Sequence, residues 1–98
     1  MDFEWDSAKA EANLTKHGVP FAYATRVFDD AYRLARRDPR KDYGEERHIV
    51  MGQVDARLLV VVCTWRSDDV CRLISARKAN DREKKLYRAF QTRPGEPA

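Results

Sequence analysis

Four arginines fall at strand-like positions. Arg47 begins one such segment, Arg66 closes the next, and Arg72 and Arg77 lie within and at the end of its hairpin partner, with Lys78 directly after. A guanidinium grips a phosphate through two parallel hydrogen bonds. Donors of that kind suit the negative charge that builds up on a phosphoryl group during transfer. The same side chains can equally pair with neighbouring acids, Glu45, Glu46, Asp68 or Asp69, and do no more than that. Arg72 and Arg77 are also an odd number of residues apart. On a regular strand they therefore face opposite sides, unless a bulge or the strand end intervenes.

The chain has two histidines, His17 and His48. His17 stands in "NLTKHGVPF", directly before Gly18. An imidazole exchanges protons near neutral pH, yet this one is also the last residue before a glycine helix cap, and both roles stay open. Lys16 beside it reads as a solvated charge. Trp5, Trp65 and Tyr87 can stack on bases, and each also suits a core. No phosphate-binding glycine loop, nucleophile elbow or paired-acid motif is present. Cys63 and Cys71 lie in apolar segments that look like neighbours across a hairpin. They read as two buried free thiols, although a disulfide is possible in principle. Two cysteines and two histidines without ligand spacing do not make a zinc site.

The elements that must carry these groups follow from pattern and punctuation. "FEW" alternates as a short strand. Asp6 is suited to cap a helix over Ser7 to His17. Gly18 fits the left-handed position after it, with Val19 over Leu14, and Pro20 opens a second short helix to about Val27. "YRLARR", "RHIVMGQV", "RLLVVVCTW" and "VCRLISA" read as four strands. The third of them, Arg57 to Trp65, is a β-branched run that suits a central strand covered on both faces. Asn80 and Glu83 form a capping box for a last helix running to about Phe90, with Leu86, Tyr87 and Phe90 as its apolar face. The order is β-α-α-β-β-β-β-α. Short turns between the strands imply an antiparallel sheet packed with helices, an α+β fold. Residues 1–91 form one domain and 92–98 a flexible tail.

Ninety-eight residues, 43% of them hydrophobic and 36% charged, suit one small globular domain. No apolar run approaches the roughly 18 residues a membrane span requires. The acidic start "MDFEWDSAK" is no secretory signal, which makes the cytoplasm the default. The net charge is +3. Residues 72–98 alone carry eight basic against three acidic side chains, or +5. A basic excess gathered at one end suggests an anionic partner, either nucleic acid or an acidic protein segment.

Laid end to end, "FEWDSAKAEANLTKHGVPF", "ATRVFDD", "GEERHIVMG", "RLLVVVCTWR" and "RLISARKANDREKKLY" resemble the BrnT family of type II toxin–antitoxin toxins over residues 3–87. The resemblance implies a RelE-like fold and a ribonuclease that stops translation without a required cofactor. It implies a BrnA-type antitoxin whose ribbon-helix-helix part binds operator DNA, in a heterotetramer of two toxins on an antitoxin dimer. A metal-free ribonuclease attacks with the 2′-hydroxyl of its own substrate, so it needs a base, cations for the phosphorane charge and an acid for the leaving oxygen. By residue type, His17 or Glu46 is the base, Arg47, Arg66 and Arg77 supply the charge, and Lys16, Arg72 and Lys78 bind RNA. The alternative is a basic module that grips RNA or the ribosome without chemistry. It uses the same arginines, and the lack of an acid–base motif favours it.

Overall fold

The computed structural model describes residues 1–40 and 44–91. Loop residues 41–43 and the expected tail at 92–98 lie outside them. The element order is β1 (Asp2–Glu4), α1 (Ser7–His17), α2 (Phe21–Ala24), a 3-10 turn (Thr25–Asp29), β2 (Leu34–Arg37), β3 (His48–Val54), β4 (Arg57–Trp65), β5 (Val70–Lys78) and α3 (Asp81–Gln91).

The helices start and stop where their caps dictate. The Asp6 carboxylate accepts from the Lys9 N–H at 3.1 Å, satisfying one of the amides that a helix N-terminus leaves unpaired. At the other end Gly18 adopts φ 70°, and its N–H donates to the Leu14 carbonyl at 2.8 Å. This is the one-bond form of the left-handed cap. The expected pairing of Val19 with Leu14 gives way to burial: Val19 turns into the core, while Leu14 stays 47% exposed. The second helix is shorter than expected and tightens after Ala24 into the 3-10 turn. That turn lies directly on β3. A Cβ placed at Gly52 would sit 2.8 Å from the Val27 carbonyl oxygen, so only glycine allows the approach. Asn80 and Glu83 form the capping box as read, each side chain accepting the other's backbone N–H at 2.8 and 2.9 Å.

The five strands are ordered β1-β5-β4-β3-β2. The meander from β2 to β5 is antiparallel throughout. The sheet as a whole is not, because β1 pairs with β5 in parallel. That corrects the expectation of a purely antiparallel sheet. The physical reason lies in α1, which runs along β5 from Asp6, close to the charge of Arg72, to Asn13 at Ala76. β1 feeds this helix without a reversal, so it must share the direction of β5. Asn13 is buried and fully used: its amide donates to Val19 and Ala76 carbonyls and accepts from the Ala76 N–H. An unpaired amide there would cost about 1–3 kcal/mol.

Two apolar layers result. Val50, Leu59, Val61, Leu73 and Ala76 lie under α1, α2 and the 3-10 turn, while Met51 and Val60 meet Ala79 and Tyr87 on the α3 side. β4 is thus covered on both faces, as its β-branched run indicates. Cys63 and Cys71 are buried free thiols in the first layer. Hydrogen bonding with Cys71 and burial push the Cys63 thiol up from its ordinary range. Asp30 ties the layers together by accepting from the Gln53 N–H at 2.8 Å and from the Tyr87 hydroxyl.

Candidate active site

The pairing of β5 with β4 shifts at one point. Val62 lies opposite Ser75, but its successor Cys63 lies opposite Leu73, leaving Ile74 without a partner position. This is a β-bulge, and it reverses the alternation of side chains beyond it. Cys71 and Leu73 before the bulge, and Ala76 after it, therefore share the α1 face. Arg72 lies opposite Thr64 and Arg77 opposite Val60. Directly opposed residues point the same way, as do residues two apart on a strand. Arg72 and Arg77 consequently stand on one face, the α3 face.

α3 covers only part of that face. At the Arg66 end of the sheet, Glu45, Glu46, His48, Thr64, Trp65 and Arg66 line a shallow pocket of about 280 Å³. Thr64 belongs to the α3 face, whereas His48, opposite Cys63, and Trp65, opposite Cys71, belong to the α1 face, so the pocket sits across the sheet's end. Local structure fixes its walls. The buried Thr64 hydroxyl donates to the Glu46 carbonyl at 2.8 Å, and the Asp38 N–H donates to the Arg47 carbonyl at 2.8 Å. The Arg66 N–H donates to the Val70 carbonyl at 2.8 Å, closing the turn between β4 and β5. Trp65 is 41% exposed and sets the edge of its ring on Phe28 at 6.2 Å. Half core and half pocket wall, it keeps a face that a base can stack on. Tyr87 and Trp5 belong to the packing: Tyr87 is buried and Trp5 packs edge-on against Phe21.

Carboxylates and guanidiniums pair around the pocket. Glu4 on β1 accepts from Arg72 at 3.2 Å and lies 4.0 Å from the Arg66 guanidinium. Glu46 pairs with Arg37 at 3.0 Å, and Glu45 with Arg47 at 3.5 Å. Among the described residues, four guanidiniums thus meet three carboxylates. These pairs are partly exposed and worth at most about 1 kcal/mol each. Pairs this weak leave the guanidiniums able to turn to a phosphate, which they also bind through two hydrogen bonds.

Arg77 is differently placed. It makes two bonds to Glu83, at 2.8 and 2.9 Å, and so clamps the start of α3 onto β5. The guanidinium holds the Glu83 carboxyl below its usual range. His17 and Lys16 end α1, on the opposite face of the sheet and beside the Ala76 end of β5 rather than the Arg72 end. Lys78 pairs with Leu59 and shares that opposite side. The structure therefore brings Glu46 and Arg66 into one pocket, joins Arg72 to Arg66 through Glu4, and joins Arg47 to the pocket wall through Glu45. It leaves Arg77 on the Arg72 face beneath α3, and His17, Lys16 and Lys78 elsewhere.

A family model described as the ribonuclease toxin BrnT of type II toxin–antitoxin systems matches residues 5–83. The chain belongs to the BrnT family. The crystal structure of the Brucella abortus ribonuclease toxin BrnT is similar over 83% of this chain and 99% of that one, with a TM-score of 0.63 and 25% identity. No curated protein matches. The family is one of ribonuclease toxins, and membership implies an antitoxin partner. Among the described residues no helix is long and apolar enough to cross a membrane, and no group of three His, Cys, Asp or Glu side chains is placed to hold a metal ion.

In this BrnT-family fold, two residues lie at the site that sequence reading did not place there. His48 stands beside the acid-and-arginine run "EER", and that adjacency was its signal. Glu4 had none, because only the parallel pairing of β1 brings it to Arg72.

Proposed function

We propose that this chain is the toxin of a type II toxin–antitoxin system, a metal-independent endoribonuclease whose active site is the Glu46–His48–Arg66 pocket. The observation that carries this reading is the gathering of Glu46, His48 and Arg66 in one pocket, with Glu4 joining Arg72 to Arg66 beside it. Glu46 takes the proton from the 2′-hydroxyl. The freed O2′ attacks phosphorus, and Arg66, Arg72 and Arg47 balance the extra charge on the phosphorane. The P–O5′ bond then breaks, and His48 protonates the departing oxygen. The products are a 2′,3′-cyclic phosphate and a 5′-hydroxyl end. Glu46 is preferred to His17 as base because it shares the pocket with Arg66. Trp65 offers the neighbouring base a stacking surface.

Cleavage of this kind arrests translation. A BrnA-type antitoxin with a ribbon-helix-helix part neutralises the toxin in a heterotetramer and carries it to operator DNA. Growth arrest when the chain is expressed alone, relieved by the protein of the adjacent reading frame, tests the pairing. RNA left intact by purified protein, where an authentic ribonuclease toxin cuts it, would leave the non-catalytic RNA-binding module as the better reading. Such a module would act stoichiometrically and release RNA steeply with added salt.

A further inference from the structure

Tyr87 turns α3 into the core, and the next face round the helix is partly exposed. Arg82, Leu86 and Phe90 recur at every fourth residue and so form one stripe along the helix. Leu86 and Phe90 are 49% and 41% exposed. With β2 and β3 they wall a groove of about 490 Å³ whose floor is Leu34, Ile49 and Met51. Arg36 and Arg82 stand on its rims, and neither forms an ion pair within 4 Å among the described residues. Glu83, the acid on the wall, is already neutralised by Arg77. The groove is therefore apolar within and cationic at its edges.

We infer that this groove seats an amphipathic helix of the antitoxin, its apolar side inward and its flanking residues acidic. The inference rests on the toxin–antitoxin reading above and adds where the partner sits. A helix laid in a groove buries side chains at i, i+3, i+4 and i+7, a spacing that a floor of aliphatic residues accepts. Acids beside that stripe meet Arg36 and Arg82, which selects this partner and orients it. RNA is the poorer occupant, because the aliphatic floor gives base edges no hydrogen-bonding groups. Arg36 lies opposite Ile49 on the same sheet face as Arg72. A seated helix thus lies alongside the arginine row and obstructs the RNA path without touching the pocket.

The test uses the full chain and, as probe, the purified protein encoded by the adjacent reading frame. Leu86→Glu and Arg82→Glu are compared with Lys9→Glu, which lies on α1 and away from the groove. Both groove variants should bind the probe roughly tenfold or more weakly, still cleave RNA, and escape neutralisation in cells, while Lys9→Glu behaves as wild type. Unchanged affinity in both groove variants overturns the proposal. So does loss of RNA cleavage with probe binding intact, which would make the groove an RNA surface. If wild type itself neither binds the probe nor is neutralised by it, the toxin–antitoxin reading fails, and the groove assignment falls with it.

Discussion

Arg72 and Arg77 lie an odd number of residues apart on β5 and yet point to the same face of the sheet, because Ile74 bulges out of register between them. That single irregularity turns scattered strand cations into one basic surface. Their partners differ: Arg72 shares Glu4 with Arg66, while Arg77 holds α3 through Glu83.

The pocket residues should be separable by what they do. Glu46→Gln and His48→Ala should each lower kcat by roughly a hundredfold or more, as expected for loss of a general base or acid, with little change in melting temperature. Arg66→Ala should cost a similar factor through lost charge stabilisation. Single-turnover cleavage with circular dichroism on the same samples checks both halves of the statement.

Arg77→Ala should act mainly through stability. The bridge to Glu83 is half exposed, so its own worth is about 1 kcal/mol after screening. Glu83→Ala removes both the bridge and the capping box, and should cost about 1–2 kcal/mol. In a domain of this size that lowers Tm by roughly 4–16 °C. Differential scanning calorimetry of the two variants should rank Glu83→Ala below Arg77→Ala.

Gly52→Ala should loosen the layer over β3. The added methyl would meet Val27 backbone and side-chain atoms at 2.8 and 2.9 Å, and backbone cannot swing aside as a flexible side chain can. A loss of about 1–3 kcal/mol is expected from the overpacking, read from urea unfolding. A neutral result would show that the 3-10 turn shifts freely.

Asp38 sets an acid-sensitive contribution. Hydrogen bonds from the Arg40 side chain and backbone lower its carboxyl from an ordinary 3.8 to about 2. A carboxylate whose pKa is depressed by folding stabilises the fold above its unfolded value and loses that contribution as pH falls through the folded one. Stability should therefore fall from about pH 4 towards pH 2, and Asp38→Asn should flatten that limb. Denaturant midpoints measured across this range test it.

Much of this fold was legible residue by residue. α1 and β4 have the bounds read from sequence, because Asp6, Gly18 and an unbroken β-branched run act locally. The capping box at Asn80 and Glu83 was legible for the same reason. The parallel pairing of β1 was not, since a three-residue strand says nothing about its neighbour and the choice is made by the path of α1. Ile74 fits a regular strand as well as a bulge, so the shared face of Arg72 and Arg77 was hidden. Of the candidate site, Arg47, Arg66 and Arg72 were singled out by residue type and strand position, and Glu46 by residue type alone. His17 drew notice because it adjoins a glycine cap, yet the register of α1 on β5 carries it to the other side of the sheet.

The most direct test of the pocket as the seat of catalysis is cleavage of one defined RNA by purified wild type, Arg66→Ala and His17→Ala, in the presence of a chelator, with the new 5′ ends mapped. Wild type and His17→Ala should cut at comparable rates and leave 5′-hydroxyl ends, while folded Arg66→Ala should be slower by roughly a hundredfold. Normal cutting by Arg66→Ala together with an inactive, folded His17→Ala would contradict the account and move the site to the end of α1.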